Sequence, residues 1–173
     1  MKSVFIRSKP PRVYKSYSSY RSYVRADFKK CCAYCMIHED HLGGHEAFEI
    51  DHRNPKSKAP LLESVYENLY WSCHVCNGQK GDKWPTKAEM LTGKGFIDTT
   101  EDLYSNHFVV HSNGNIYSDT DIGVYTRMNL HLDRPNLNKT RKRIINITKA
   151  NGVIIDWDIP MDNIIDDTEP KAI

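Results

Sequence analysis

Asp51 and His52 stand side by side, Asn68 follows, and Cys73-x-x-Cys76-Asn77 leads on to Lys80. Upstream lies a second cysteine pair, Cys32-x-x-Cys35. Thiolates bind zinc at about 2.3 Å, and a CxxC turn lets two of them reach one ion. Two such pairs predict a structural Zn2+ site with Cys32, Cys35, Cys73 and Cys76 as ligands. The interval from Cys35 to Cys73 exceeds the roughly 15–20 residues of a compact zinc ribbon, and a hairpin would fill it. Cys31 is surplus and adjacent to Cys32, so either can supply the fourth sulfur on spacing alone. His38, His41, His45 and His74 are spare donors, of a kind more often found at a surface or core edge.

The remaining residues have the chemistry for phosphodiester hydrolysis, which needs an activated water, a cation on the developing charge and help for the leaving oxygen. An imidazole is substantially neutral near pH 7, so His52 suits the role of general base. Asp51 is a hard oxygen ligand for Mg2+ or Mn2+, and Asn77 can offer an amide oxygen to the same ion. Lys80 falls on the helical face of Asn77 and is a candidate phosphate contact, with Arg53, Lys56, Lys58 and Lys83 as further candidates. Each of these cations is more often simply a solvated charge. Strand alternation would put Asp51 and His52 on opposite faces, so a shared site requires the strand to bend or end at Arg53-Asn54-Pro55.

Several elements must position these groups. Tyr20, Val24 and Phe28 recur at four-residue spacing and predict a helix over 17–30 that delivers the chain to the first cysteines. Residues 47–51 have strand character, 56–67 read as a loop with a helical turn, and Asn68-Leu69-Tyr70-Trp71 reads as a second strand or a helix entry. A helix from Cys73 must stop at or before Trp84, because Pro85 disfavours helical geometry in the residue preceding it. Gly78 and Gly81 each weaken that helix by about 1 kcal/mol relative to Ala, which close backbone approach to a ligand or neighbouring element would explain, with a frayed last turn as the bland alternative. Residues 86–106 read as a polar connection with short elements. Asn113-Gly114 predicts a two-residue turn in a hairpin over 107–117. A helix over 136–150 ends at Asn151-Gly152, with a further strand at 153–155 and a loosely held last dozen residues.

At 173 residues the chain fits one domain with a real core. The net charge of +2 is small, but its distribution is uneven. Residues 1–30 and 134–149 are basic, whereas the tail from Asp156 to Glu169 is acidic. Basic segments favour a polyanion such as nucleic acid, with solvated helix faces as the bland explanation. No apolar run approaches the roughly 18 residues of a membrane span, and Val4-Phe5-Ile6 is too short for a signal-peptide core. Closely paired cysteines in such a chain suggest reduced thiols, metal binding and a cytoplasmic setting.

Taken together, Cys32-Ala-Tyr-Cys35, Asp51-His52 with Pro55, Asn68-Leu69, and Cys73-His-Val-Cys76-Asn77 with Lys80 resemble the HNH endonuclease family. The final histidine of the family name is Asn77 here. The resemblance implies an α+β fold: a ββα-metal, treble-clef-like core with structural zinc, flanking helices and a C-terminal hairpin and helix extension. It also implies one domain over 1–173, with a basic arm and helix at 1–30, the core at 31–85, an accessory hairpin and helix at 86–155 and an acidic tail at 156–173. In this family pattern His52 is the base, Asp51 and Asn77 hold the catalytic ion, Asn68 braces the hairpin loop and His52, and the four cysteines hold zinc. His107-Phe108-Val109-Val110, Gly114 and Leu137-Asn138-Lys139-x-Arg141 look, more loosely, like a bacterial branch found beside ATPases in anti-phage defence. That likeness implies an ATPase or other defence-system partner. The expected activity is metal-dependent hydrolysis of DNA. The competing readings are a silent zinc module that binds nucleic acid or protein, and an RNA-directed nuclease.

Overall fold

The computed structural model describes residues 5–151 and 164–165. A 3-10 turn at Tyr17–Tyr20 leads into α1, Arg21–Asp27. The helix is shorter than its apolar spacing predicts, because Lys29 and Lys30 take left-handed φ values of 49° and 62° and turn the chain toward the cysteines. Tyr20, Val24 and Phe28 are buried on one face as expected. The arginines opposite them are not simply solvated. Arg21 donates to the carbonyls of His45 and Phe48 and lies over the Trp71 ring, and Arg25 pairs with Glu39. Arg7, also in the basic arm, donates to the carbonyls of Tyr66 and Leu69 and stacks over three aromatic rings.

Strand β1, Phe48–His52, pairs antiparallel with β2, Leu69–Cys73, in a register that sets Phe48 opposite Cys73 and His52 opposite Leu69. Every residue of β2 is buried. The pairing stops at His52, where Arg53 N donates to Asn68 O before the chain leaves through Pro55. Helix α2, His74–Lys80, follows β2 without a loop, and Cys73 serves as its N-cap, its sulfur accepting from Cys76 N. Gly81, at φ 48°, ends the helix and returns its N–H to Asn77 O, so the helix stops one turn before Pro85 requires it to. These elements make the ββα core of a mixed helix-and-sheet fold. Both α1 and α2 pack on the hairpin.

Beyond the core, α3, Lys87–Leu91, begins with a Thr86–Glu89 capping box. A small sheet follows, in which β3, Val109–His111, pairs with β4, Ile116–Tyr117, antiparallel and with β5, Ile164–Ile165, parallel. The predicted two-residue turn is longer in fact. His111 N donates to Asn115 O, leaving Ser112, Asn113 and Gly114 as the loop, with Gly114 at φ 88°. Helix α4, Asp121–Leu130, is capped by Thr120 and has no counterpart in the sequence expectations. Helix α5 runs Pro135–Asn151. The strand expected at 153–155 and the acidic segment lie outside the described residues, apart from 164–165. No helix among the described residues is long and apolar enough to cross a membrane.

Gly114 joins the hairpin to α5. A Cβ there would stand 2.0 Å from Asn138 O and 2.8 Å from Lys142 N, both backbone atoms of the helix. Gly114→Ala adds that clash to an unfavourable positive φ, and should destabilise the fold by about 3 kcal/mol. Urea unfolding checks this, and a wild-type midpoint and slope would show that the hairpin and helix do not meet so closely.

Candidate active site and metal centre

Cys32, Cys35, Cys73 and Cys76 are buried, and one sulfur from each lies within 4.8 Å of all the others. Around a tetrahedral ion with Zn–S near 2.3 Å the sulfurs sit roughly 3.8 Å apart, so the set fits zinc with little movement. The first pair sits in a tight loop, with Met36 N donating to Cys32 O and Cys32 N to Ile37 O, flanked by a bridge between Cys31 and His38. Ala33 N donates to Trp71 O, docking that loop on β2. The ambiguity between neighbouring cysteines is resolved by direction: Cys31 turns away and its thiol reaches Lys29 O at 3.6 Å. None of the spare histidines joins the cluster.

At the opposite end of the hairpin, a cavity of about 380 Å³ is lined by Tyr17, Glu49, Asp51, His52, Lys56, Asn77, Gly78 and Asp82 among others. It therefore collects three residues that the sequence places 26 positions apart at their extremes, Asp51, His52 and Asn77. The problem of strand alternation is met by the strand ending at His52. His52 Nε2 is 2.9 Å from Glu63 O, and the ring packs edge-on to Tyr17. A carbonyl can only accept, so Nε2 carries the hydrogen and a neutral ring keeps its lone pair on Nδ1. Nδ1 has no protein partner among the described residues. Burial lowers the imidazole's pKa below its ordinary value, which favours that neutral form.

Asp51 is held from two sides. Lys80 Nζ donates to its Oδ1 at 3.1 Å and to His52 O at 2.7 Å, and the Tyr34 hydroxyl donates to its Oδ2. Burial pushes the carboxyl upward while the ammonium opposes it, and burial likewise pushes Lys80 down. Each carboxylate oxygen still has a free lone pair after these bonds. The amide of Asn77 has no partner among the described residues and lines the cavity half-buried. Gly78 presents open space at its α-carbon, so a side chain there would enter the cavity rather than the protein.

Asn68 lies 5% exposed at the base of the hairpin loop. Its Oδ1 accepts from Asn54 N at 2.8 Å, and its Nδ2 donates to the carbonyls of Asn54 and Leu62 at 3.1 and 3.2 Å. The loop that carries Glu63 is thereby stapled to the strand that carries His52.

The cations expected at the substrate divide. Lys80 is a correction: it is fully buried and spent on Asp51 and His52 O, so it is an internal strut and not a phosphate contact. Arg53 pairs with Asp98 at 3.1 Å over the Trp84 ring and lines a different cavity. Lys83 donates to Asn129 O. Lys56 alone among them borders the cavity, 5.2 Å from the Tyr17 ring centroid and 3.7 Å from Glu63 Oε1, and Lys58 is exposed. Sequence reasoning missed Tyr34, Tyr17 and the Glu63 carbonyl. Tyr34 lies within the first CxxC, yet nothing in that spacing reveals where its hydroxyl points.

Residues 32–83 match the HNH endonuclease family model, described as HNH endonuclease. The match runs from the first sulfur of the cluster to just beyond the end of α2, less than half of the chain. No curated protein matches the chain.

Two predictions follow from the geometry. Cys32→Ser or Cys73→Ser should lower zinc content and thermal stability, whereas Cys31→Ser should leave both unchanged. Metal analysis of the three purified variants checks the assignment, and a zinc-loaded Cys73→Ser would sink the four-sulfur site. Asn68→Asp places a carboxylate against two carbonyls in place of two N–H donors, at a cost of about 2–3 kcal/mol. Denaturant unfolding measures it, and a neutral outcome would mean that the loop is held by other bonds.

Proposed function

We propose that the chain is a metal-dependent endonuclease that hydrolyses DNA phosphodiester bonds through its HNH domain. The observation that carries the reading is the cavity shared by Asp51, His52 and Asn77, with the His52 tautomer set by Glu63 O. Binding of nucleic acid as a passive module needs no imidazole with an unpartnered Nδ1 beside two oxygen donors.

Asp51 and Asn77 are the residues that would hold Mg2+ or Mn2+; both offer oxygen, and two protein ligands leave room for water and phosphate. When bound, the ion would supply charge stabilisation for the phosphate and for the departing oxygen. His52 takes the proton of the attacking water on Nδ1, and its Nε2–H keeps its bond to Glu63 O. That carbonyl also favours the imidazolium formed, since its negative end faces the ring. Tyr34 and Lys80 hold Asp51 in place, and Asn68 holds the loop that orients His52. Lys56 is the cation placed to meet a substrate phosphate. Attack on phosphorus with loss of the 3′ oxygen gives 5′-phosphate and 3′-hydroxyl ends. The four cysteines hold structural Zn2+ in this reading, and the core over 31–85 performs the chemistry with its flanks as support.

The looser likeness to defence-associated proteins has a structural account within the chain. Arg141 Nη1 donates to Asn138 Oδ1 and to Gly114 O, so those motif residues pack on one another. They carry no separate argument for an ATPase partner.

Wild type and His52→Ala are to be incubated with plasmid DNA and with RNA, in Mg2+, in Mn2+ and in EDTA. The expected result is DNA cleavage that requires added metal and falls at least about 100-fold in His52→Ala with unchanged zinc content. Equal cleavage by His52→Ala removes the proposed base. Failure of folded, zinc-loaded wild type on both substrates overturns the enzyme reading in favour of a binding module, and cleavage of RNA alone corrects the substrate.

A further inference from the structure

Two arginines of the C-terminal extension have no carboxylate partner among the described residues, and one of them, Arg134, reaches the four-cysteine cluster. Arg134, just before α5, places Nη2 3.6 Å from Cys76 Sγ, while its Nη1 donates to the carbonyls of Leu130 and His131. Arg141, two turns into α5, is fully buried. Its Nη2 donates to Leu132 O at 2.7 Å, and its Nη1 reaches Asn138 Oδ1 at 2.9 Å and Gly114 O at 3.4 Å. Those partners are neutral dipoles. A guanidinium with no water and no counter-charge is costly, whatever its hydrogen bonds.

Four thiolates around one Zn2+ would carry a net charge of −2, and these sulfurs are themselves buried. Arg134 is the guanidinium that reaches one of them. Lys80, a buried cation of the core, is already paired with Asp51.

We propose that Arg134 is a charge-balancing partner of the metal centre, which makes the chain leading into α5 a component of the zinc site although it lies outside the HNH-matched segment. Its guanidinium acts directly on Cys76 Sγ. The simpler account is that this arginine only clamps backbone carbonyls. The two accounts differ in what a lysine can replace. Lysine keeps the charge and loses the planar fork.

Zinc transfer to a chromogenic chelator is to be timed for full-length wild type, Arg134→Gln and Arg134→Lys, with zinc content and far-ultraviolet circular dichroism as controls. Arg127→Gln, whose exposed partner is Asp133, serves as the neutral comparison. Folded Arg134→Gln should release zinc about tenfold faster than wild type, since loss of one charge partner acts mainly on dissociation. Arg134→Lys should stay within about threefold of wild type, and Arg127→Gln should not differ from it. Arg134→Gln releasing zinc at the wild-type rate overturns the proposal. So does a folded Arg134→Lys as fast as Arg134→Gln, or a wild type that holds no zinc. None of these readouts depends on cleavage of DNA.

Discussion

Cys73 is at once the last residue of β2, the N-cap of α2 and a member of the four-sulfur cluster. That triple use ties the ββα core together. A two-stranded hairpin is marginal on its own in water, and this one pairs over only five residues per strand. The sulfur cluster pins its far end to the loop at Cys32–Met36, and Asn68 pins its near end to Asn54 and Leu62. Between those two fixed points the strand delivers Asp51 and His52, and the helix that starts at Cys73 delivers Asn77 one turn later. The spacing of the three is thus set by elements that cannot slide relative to one another.

The interior side of the site follows a second constraint. Asp51 must face a cavity and yet be buried, which a lone carboxylate would not tolerate as an anion. Lys80 Nζ and Tyr34 Oη together keep it charged and oriented. Tyr34 comes from the cysteine loop and Lys80 from α2, the two elements that the sulfur cluster joins. The carboxylate is therefore positioned by the same junction that holds the fold, and a distortion at the sulfurs reaches Asp51 through Tyr34 within two residues of chain.

Much of this arrangement was legible in the sequence, and what was not legible has physical reasons. The paired cysteines, the first strand and the helix after Cys73 could be read because local spacing determines them, whereas Asn68-Leu69-Tyr70-Trp71 reads equally as a strand or a helix entry. The register between Cys31 and Cys32 could not, because both lie at equally short range; direction settles it, through the bridge of Cys31 with His38. Lys80 was misread because a lysine in the last turn of a short polar helix is usually solvated, and only the tertiary position of Asp51 draws it inward. The same applies to Arg7 and Arg21, whose partners are backbone carbonyls distant in sequence, and to Arg134, which reaches Cys76. Charge runs therefore overstated the surface available to nucleic acid. Helix α4 was missed because its apolar pattern is weak: only Gly123, Thr126 and Leu130 are buried. The hairpin turn was placed correctly at Gly114 but given too few residues, since contact with α5 governs that loop.

The HNH-matched segment also depends on chain to either side of it. Tyr17, before the segment, forms the wall against His52 and supports Lys56, and Ser64 in the loop donates to Lys15 O. Arg7 fills the space between Phe28, Tyr66 and Tyr70. After the segment, Asp98 accepts from the hydroxyl of Tyr70 and pairs with Arg53, and Thr99 donates to the cysteine-loop carbonyl of Ala33. These are specific polar contacts made in a buried or half-buried setting, where an unmet group costs more than a met one gains. Cutting the chain to 32–83 would thus expose Tyr66 and Tyr70, free Arg53 and leave the cysteine loop without its second support. The flanks are part of what makes the site rigid, and rigidity is what keeps Asp51 and His52 on β1 and Asn77 on α2 at one cavity.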